Sequence, residues 1–230
     1  MNRKYYEAYD DRYRQVHSQE MRWFHDAPSR IVKDTITAYG LTHTHKILEL
    51  GCGEGRDAFP LLQEGYDLTA TDISPEAIRF CREMWPHHAH KFRVLDCIRG
   101  EAEDSYDLIF AVAVIHMLVE DEDRDAFYRF FREHLRDDGL GLICTMGDGK
   151  TELRSDISNA FALQERIHEQ TGRTVRIAST SCRMVTFETF REELARSGLK
   201  IIDSGITSVE PDFPQMMYAV ICKEGVHNDE

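Results

Sequence analysis

The sequence predicts an α/β fold in which helices cover both faces of a mostly parallel sheet. From residue 46 onward, apolar strand-like segments alternate with segments that have the spacing of amphipathic helices. Some strand-like segments, such as "YDLIFAVAVI" at 106–115, are continuously apolar, which is typical of strands buried on both faces. A glycine-rich stretch, "GCGEG" at 51–55, follows the first such segment, where open α/β sheets bind their ligand. The 230 residues are therefore interpreted as a single α/β domain.

The individual elements follow one another in a regular order. Two amphipathic helices are predicted over residues 5–17 and 29–39, ahead of the first strand, "KILEL". A helix ("GRDAFPLLQEGY"), a strand ("DLTATDI") and a second helix ("SPEAIRFCREMW") follow, the last with Ser74 as N-cap and Pro75 at its first position. The strands "KFRVLDC" and "YDLIFAVAVI", the helix "EDRDAFYRFFREHL" and the strand "GLGLICTM", after a turn at Asp138 and Gly139, complete the alternation.

The C-terminal third predicts an insertion and a final pair of strands. The segment "TELRSDISNAFALQERIHEQTG" at 151–172 has the composition of a long polar helix, and insertions of that size often carry specificity. The segment "TFETFREELARSGL" predicts a helix that Thr186 caps and Gly198 ends. The strands "KIIDSGITSVE" and "QMMYAVICK" come last, and so close a pair suits an antiparallel edge of the sheet.

Charge and cysteine content narrow the classes of function. The 41 acidic residues outnumber the 28 basic ones, and a formal charge of −13 repels nucleic acid and anionic membranes. The longest apolar run falls far short of a bilayer span, and the N-terminal residues lack the apolar core of a signal peptide. The six cysteines include no CxxC pair, which argues against a disulfide framework and a zinc site. We therefore expect a cytoplasmic protein with reduced thiols and no nucleic-acid or membrane partner.

The glycine-rich turn indicates what kind of ligand to expect. Its glycines stand at 51, 53 and 55, whereas the dinucleotide fingerprint GxGxxG would need a glycine where Arg56 stands. Glu49 and Glu54 lie beside and inside the turn, and a carboxylate there disfavours a pyrophosphate at the helix N-terminus. The turn therefore favours a ligand with a cationic end over a dinucleotide.

The strand-end motifs resemble those of the class I S-adenosylmethionine-dependent methyltransferases. "ELGCGEG", from Glu49 to Gly55, is similar to the first motif of that family, and further matches follow in the right order between 46 and 146. The resemblance implies a Rossmann-like sheet of seven strands, mostly parallel, in which the last strand runs antiparallel. Among small-molecule members, "GRDA" followed by "EGYDLTATDIS" looks like the subgroup of thiopurine and tellurite methyltransferases.

The resemblance also implies which residues hold the cofactor. Asp72, at the end of the second strand, would accept the two ribose hydroxyls, a task for which a carboxylate is suited. Asp96 and the Cys97 backbone would contact the adenine, and the backbone at Val112 would lie beside the methionine moiety. The expected contacts are Glu49, Gly51, Cys52, Gly53, Arg56, Asp72, Ile73, Asp96, Cys97, Ala111 and Val112, and, if the N-terminal segment is a lid, Tyr13 and Arg14 near the methionine carboxylate.

The chemistry of methyl transfer asks for few reactive side chains. An in-line displacement chiefly requires that the acceptor and the methyl carbon be held close together and shielded from water. If the acceptor must lose a proton, His116 and Asp148 are the catalytic candidates, because they follow the fourth and fifth strands. The alternative interpretations are a histidine that packs on the cofactor and an aspartate that forms a turn. Metal-assisted relatives need carboxylates after both strands, and only the fifth supplies one, so no metal is expected.

The N-terminal segment "YYEAYDDRYRQVHSQEMRWF" is dense in aromatic residues and leaves two interpretations open. It is either a helix packed on the sheet or a lid over the cofactor, with Trp23 or Phe24 lining the acceptor pocket. An aromatic wall there would favour a cationic or planar acceptor. The domain accordingly divides into an N-terminal helical lid or cap (1–40), a cofactor-binding core (41–146), an inserted helical segment on the acceptor side (147–185), and a C-terminal helix with the strand pair (186–230).

The sequence as a whole predicts a methyltransferase that uses S-adenosylmethionine and releases S-adenosylhomocysteine. The expected acceptor is an O or N atom of a small molecule, and the expected state is a monomer or homodimer. Three alternatives stay open: a methyltransferase acting on transfer RNA or protein, a nucleotide-dependent oxidoreductase, and a non-catalytic module that binds S-adenosylmethionine.

Overall fold

The computed structural model describes residues 3–23, 27–168 and 170–225. Short 3₁₀-helices lie at Tyr5–Glu7, Pro86–Lys91, Ile115–Met117 and Ile157–Asn159. The α-helices are α1 (Ala8–His17), α2 (Arg30–Ala38), α3 (Ala58–Gln63), α4 (Pro75–Met84), α5 (Asp121–His134) and α6 (Phe187–Arg196). The strands are β1 (Lys46–Leu50), β2 (Asp67–Asp72), β3 (Phe92–Val94), β4 (Tyr106–Val112), β5 (Leu135–Met146), β6 (Leu153–Arg154), β7 (Leu163–Ile167), β8 (Thr174–Ala178), β9 (Arg183–Met184), β10 (Leu199–Val209) and β11 (Phe213–Lys223).

Seven strands form one sheet in the order β10-β11-β5-β4-β1-β2-β3. The pairs β1–β2, β2–β3, β1–β4 and β4–β5 are parallel, whereas β11 runs antiparallel to both β5 and β10. The predicted fold class, including its antiparallel last strand, is therefore confirmed. The strand order reverses between β1 and β4, and a ligand of such a sheet binds beyond the carboxyl ends of strands at that point.

The sheet separates two hydrophobic cores, as the continuously apolar strands predict. Along β4, Ile109 and Ala111 point into one core, and Leu108, Phe110 and Val112 point into the other. This alternation follows from the two-residue period of a strand. Aromatic side chains of α5 and α6 fill the first core, while α2, α3 and α4 cover the second.

The predicted long helix over 151–172 is wrong. The described part of this segment holds β6, a single 3₁₀ turn and β7, and β7 pairs antiparallel with β8. One reason is local, because the Asp156 carboxylate accepts a hydrogen bond from the Ser158 N–H at 2.9 Å and forms a turn that competes with a helix. The other lies beyond the segment, where Val175 and Ile177 of β8 alternate inward and bury the hairpin against the domain.

Two further predictions of element boundaries can be compared with the structure. The expected turn at Asp138 and Gly139 lies inside β5, where a register shift against β4 accommodates it. The cap of α6 is confirmed, since the Thr186 hydroxyl accepts a hydrogen bond from the Thr189 N–H at 3.2 Å. Within the described ranges, no helix combines the length and apolar character needed to cross a bilayer.

A buried polar network joins α5 to α6 beneath the loop that follows β4. The Arg124 guanidinium donates to both carboxylate oxygens of Glu193, at 2.8 and 2.6 Å, and the Tyr128 hydroxyl donates to the same carboxylate at 2.6 Å. Arg124 also donates to the backbone carbonyl of Ile115 at 3.0 Å. The network therefore fixes the loop that carries His116.

Candidate active site

A cavity opens beyond the carboxyl ends of β1, β2 and β4, at the reversal of strand order. Its walls come from the glycine-rich turn, the ends of β2 and β4, the loop after β3, and the N-terminal segment. All of the predicted cofactor contacts except Arg14 and Ala111 line this cavity, which we call the first cavity. The structure thus brings residues 13, 49, 51–53, 56, 72–73, 96–97 and 112 together, although they are far apart in the sequence.

The glycine turn has a backbone that side chains would not tolerate. Gly51 and Gly53 have φ angles of +73° and +53°, in the left-handed region that favours glycine. A Cβ atom at Gly51 would stand 2.4 Å from Val114, and one at Gly53 would stand 2.6 Å from the Tyr13 hydroxyl. The bare backbone therefore lets the turn lie directly against the wall of the cavity.

Asp72 connects the end of β2 to the glycine turn. One carboxylate oxygen accepts the Gly53 N–H and the other accepts the Ser74 N–H, both at 2.8 Å. Burial raises the pKa of this carboxyl to about 6, the two N–H donors lower it in part, and the nearby Asp10 raises it again. Two hydroxyl donors from a ligand would lower this pKa, because they stabilise the ionised form.

Glu49 places a second buried carboxyl in the first cavity. Its side chain is 3% exposed, and Oε2 has no hydrogen-bond partner in the described part of the chain. Burial and then the charge of Asp57 raise the pKa of Glu49 well above its usual range. An unpartnered carboxyl oxygen at such a site calls for a donor, and a ligand with a cationic end would supply one.

The N-terminal segment forms one wall of the cavity and is held there by Glu54 of the glycine turn. The Glu54 carboxylate accepts the Trp23 N–H at 2.8 Å and lies 2.8 Å from Nε2 of His17. Nδ1 of His17 lies 2.8 Å from Glu76 of α4. Burial lowers the pKa of His17, but the hydrogen bonds to Glu54 and Glu76 raise it more, with a net rise. His17 therefore ties α1 to the turn and to α4 at once.

Sequence reasoning missed Glu54 as an anchor and two tyrosines as cavity walls. Tyr6 and Tyr9 line the first cavity beside Tyr13, and all three are buried. Their spacing at i, i+3 and i+7 places them on one helical face. This spacing can be read from the sequence, but it does not indicate which part of the protein the face covers.

His116 lines a second, adjoining cavity instead of the first. Tyr9 and Met117 belong to the walls of both cavities, and the second measures about 420 Å³ where the first measures about 90 Å³. His116 is 4% exposed, and its Nδ1 has no hydrogen-bond partner among the residues described. Burial, together with the positive charges of Arg124 and Arg12, lowers the pKa of His116 to about 4. The imidazole is therefore neutral at pH 7.

Other predicted residues lie elsewhere. Asp148 lines neither cavity, and its carboxylate accepts the N–H groups of Lys150 and Thr151 at 2.9 and 2.7 Å, as a turn former does. Arg14 is exposed and pairs with Asp10 at 2.8 Å, because its side chain leaves the helix on the solvent side. Ala111 points into a hydrophobic core. These placements give no support to the predicted roles of the three residues.

The remaining expectations concern the acceptor pocket, metals and thiols. Trp23 lines the second cavity, whereas Phe24 lies outside the described residues. Among the residues described, no group of three or more metal-binding side chains occurs, and the absence of a metal stays a prediction. All six cysteines are free thiols.

Two features define the class I methyltransferase fold: this strand order, and a glycine turn at the point where the strand order reverses. Solved structures share it: the CcbJ methyltransferase from Streptomyces caelestis is 16% identical with a TM-score of 0.68, covering 95% of this chain and 98% of the other. A TehB-like S-adenosylmethionine-dependent methyltransferase from Corynebacterium glutamicum is 19% identical with a TM-score of 0.58, over the same shares. At these identities the likeness concerns the fold.

Sequence comparison leads from the fold to the family. Residues 48–140 match the family model described as a methyltransferase domain. A putative methyltransferase from Geobacillus sp. is 31% identical over 51% of this chain and 49% of its own length. A probable S-adenosyl-L-methionine-dependent methyltransferase, TehB of Haemophilus influenzae, is 28% identical over 48% of this chain and 39% of its own. The chain thus spans half or less of the length of these relatives. The predicted resemblance to the class I S-adenosylmethionine-dependent methyltransferases is therefore confirmed over residues 48–140.

Proposed function

We propose that this chain transfers a methyl group from S-adenosylmethionine to an O or N atom of a small molecule. The observation that carries the proposal is the pair of buried carboxyls, Glu49 and Asp72, in a cavity that adjoins a second, larger one. The first cavity suits a ligand with a cationic end and vicinal hydroxyls. The second has room for an acceptor and carries His116.

The residues of the first cavity fit S-adenosylmethionine group by group. Glu49 would accept a hydrogen bond from the ammonium group, and Asp72 would accept the ribose hydroxyls. Asp96 and Cys97, in the loop after β3, would lie along the adenine. When bound, the cofactor supplies a methyl carbon to which the acceptor atom bonds as the carbon–sulfur bond breaks and its electron pair remains on sulfur. The buried tyrosines of the N-terminal segment exclude water from this side.

His116 is proposed to orient the acceptor. The neutral imidazole has one ring nitrogen without a proton, and where that nitrogen faces the cavity it can accept a hydrogen bond from the O–H or N–H of the acceptor. Burial and the charges of Arg124 and Arg12 disfavour the imidazolium that full proton transfer to His116 would create. Orientation by hydrogen bonding, with the proton passing finally to solvent, is therefore the role that this environment favours.

Ligand binding to the purified protein tests the proposal directly. S-adenosylmethionine and S-adenosylhomocysteine are expected to raise the thermal midpoint, whereas NAD is not. At a ligand concentration 100 times its Kd, the gain is about 2.7 kcal/mol. Transfer of radiolabelled methyl to small aromatic acceptors would then identify the reaction, while labelling of transfer RNA or protein alone would assign a macromolecular acceptor. Stabilisation by NAD alone would overturn the proposal.

The affinity for S-adenosylhomocysteine is expected to fall with pH below about pH 6. Ribose hydroxyls donate to the ionised form of Asp72, so binding competes with protonation of a carboxyl whose pKa is about 6. Affinity should be level above pH 7 and should fall by up to about tenfold for each pH unit well below 6. Calorimetry between pH 5 and 8 measures this.

An Asp72→Asn variant provides the control for that titration. It should bind the ligand more weakly at pH 7 and lack the Asp72 component of the pH dependence, because asparagine does not ionise in this range. If both proteins show the same profile, Asp72 is not the titrating group, and its assignment to the ribose falls.

A further inference from the structure

The second cavity contains a buried guanidinium that pairs with no carboxylate of the residues that the structure describes. Arg12 of α1 is 5% exposed, and its Nε and one Nη donate to the backbone carbonyl of Ala178 at 3.2 and 2.9 Å. The same Nη donates to the Ser179 carbonyl and the Thr180 hydroxyl, at 2.8 and 2.7 Å. All of these acceptors are neutral, and no ion pair of Arg12 occurs among the described residues. A buried cation without a counter-charge is costly, so this arrangement calls for an anion.

A second arginine brings another positive charge to the same cavity. Arg166 of β7 also lines it and is exposed at the rim. Burial lowers the pKa of Arg12, Tyr9 raises it in part, and the charge of Arg166 lowers it further. In the better-bonded orientation of its amide, Gln164 accepts from the Arg166 guanidinium at 2.9 and 3.2 Å. In the described ranges, therefore, neither arginine is neutralised by a carboxylate.

The cavity lining offers little negative charge against these two cations. Asp212 is the one carboxylate among the lining residues that the structure describes, and it pairs with Arg56 at 3.6 Å. The other polar lining groups include the hydroxyls of four serine and threonine side chains, the Cys182 thiol and the imidazole of His116, which is neutral at pH 7. The local field is consequently positive, although the chain as a whole carries a formal charge of −13. A positive field favours an anionic acceptor, whereas an aromatic wall alone suggests a cationic one.

The walls of the cavity favour a flat molecule. The Arg12 guanidinium lies 4.9 Å from the centre of the Trp23 ring and 5.1 Å from that of the Tyr9 ring. The rings of His116 and Phe213 meet edge to face, with their centres 6.0 Å apart. Aromatic surfaces of this kind bind planar rings well.

We propose that the methyl acceptor is a planar aromatic carboxylate, bound with its carboxylate between Arg12 and Arg166. A guanidinium is suited to this contact because its planar set of N–H donors matches the two oxygens of a carboxylate. The methyl-accepting O or N atom then points toward Tyr9 and Met117, the residues that this cavity shares with the first. The inference rests on the proposed function, whose cofactor occupies the first cavity.

The test compares matched ligands on the protein saturated with S-adenosylhomocysteine. The probes are benzoate, 2-hydroxybenzoate and indole-3-carboxylate, each against its neutral amide, with benzylamine as a cation. In calorimetry at low salt, at least one carboxylate should bind about tenfold more tightly than its amide, or better. Equal binding of acid and amide, tighter binding of the amine, or no binding of any carboxylate at millimolar concentration would overturn the proposal.

Variants at the rim keep the test independent of folding. Arg166→Gln removes an exposed charge and should weaken the best carboxylate about tenfold while leaving its amide unchanged. Arg176→Gln is the matched control, since Arg176 is an exposed arginine on the same hairpin that does not line the cavity. Equal losses in the two variants would mean a general charge effect and would refute a specific contact. If the unmodified protein does not bind S-adenosylhomocysteine, that result counts against the proposed function and not against this inference.

Discussion

Replacement of Glu193 by alanine is expected to lower the free energy of unfolding by about 3–5 kcal/mol. Glu193 is the only carboxylate that the described structure places against Arg124, and both side chains are almost fully buried. Without it, the Arg124 guanidinium and the Tyr128 hydroxyl lose their strongest partner in a site that water does not reach. The large loss arises from the uncompensated charge that is left behind, because an intact buried pair is by itself worth little against an apolar core.

Denaturant unfolding of two adjacent variants measures this effect. Glu192 precedes Glu193 on α6 and is exposed, so Glu192→Ala should change stability by no more than about 0.5 kcal/mol. A double replacement, Arg124→Met with Glu193→Leu, should recover most of the loss if the buried charge is its cause. A Glu193→Ala protein as stable as Glu192→Ala would show that water or rearrangement compensates the guanidinium.

The variant Gly51→Ala is expected to lose about 2–4 kcal/mol of stability and about tenfold or more of its affinity for S-adenosylhomocysteine. The left-handed φ of +73° costs energy for any residue with a Cβ, and that atom would stand 2.4 Å from Cγ2 of Val114. Both residues line the first cavity, so relief of the overlap has to displace its wall. Thermal unfolding and calorimetric titration measure the two losses separately.

A second glycine separates backbone strain from steric overlap. Gly40 has a φ of +65°, and a Cβ there would meet nothing within 4 Å. Gly40→Ala should therefore cost only about 1–2 kcal/mol, with ligand affinity unchanged. Adding Val114→Ala to Gly51→Ala removes the overlapping methyl and should restore part of the affinity. Identical effects of the two single variants would contradict the role given to close packing at the turn.

The sequence predicts the core of this protein well because the signals there are local. The glycine turn, Asp72 at the end of β2 and the cap of α6 each depend on a few neighbouring residues, and the structure places all of them as expected. The strand order follows because continuously apolar strands separated by helices leave few arrangements other than a covered parallel sheet.

The parts that sequence reasoning missed depend on contacts between distant residues. In the hairpin of β7 and β8, the alternation of apolar and polar residues is weak in β7, where Leu163 and Ile167 are exposed. The hairpin is buried by α1, which lies about 160 residues away in the sequence and donates the hydrogen bond from Arg12 to Ala178. The neutral state of His116 likewise follows from burial and from the charges of Arg124 and Arg12, which no motif places beside it. Arg14 and Asp148 line neither cavity, because the direction of a side chain is not fixed by its position in the sequence.

Tyr9 and Met117 stand in the walls of both cavities, and this shared boundary has a thermodynamic consequence. A ligand that settles the position of either side chain alters the free energy of binding at the neighbouring site. The two affinities must then change by the same factor, whichever ligand is added first.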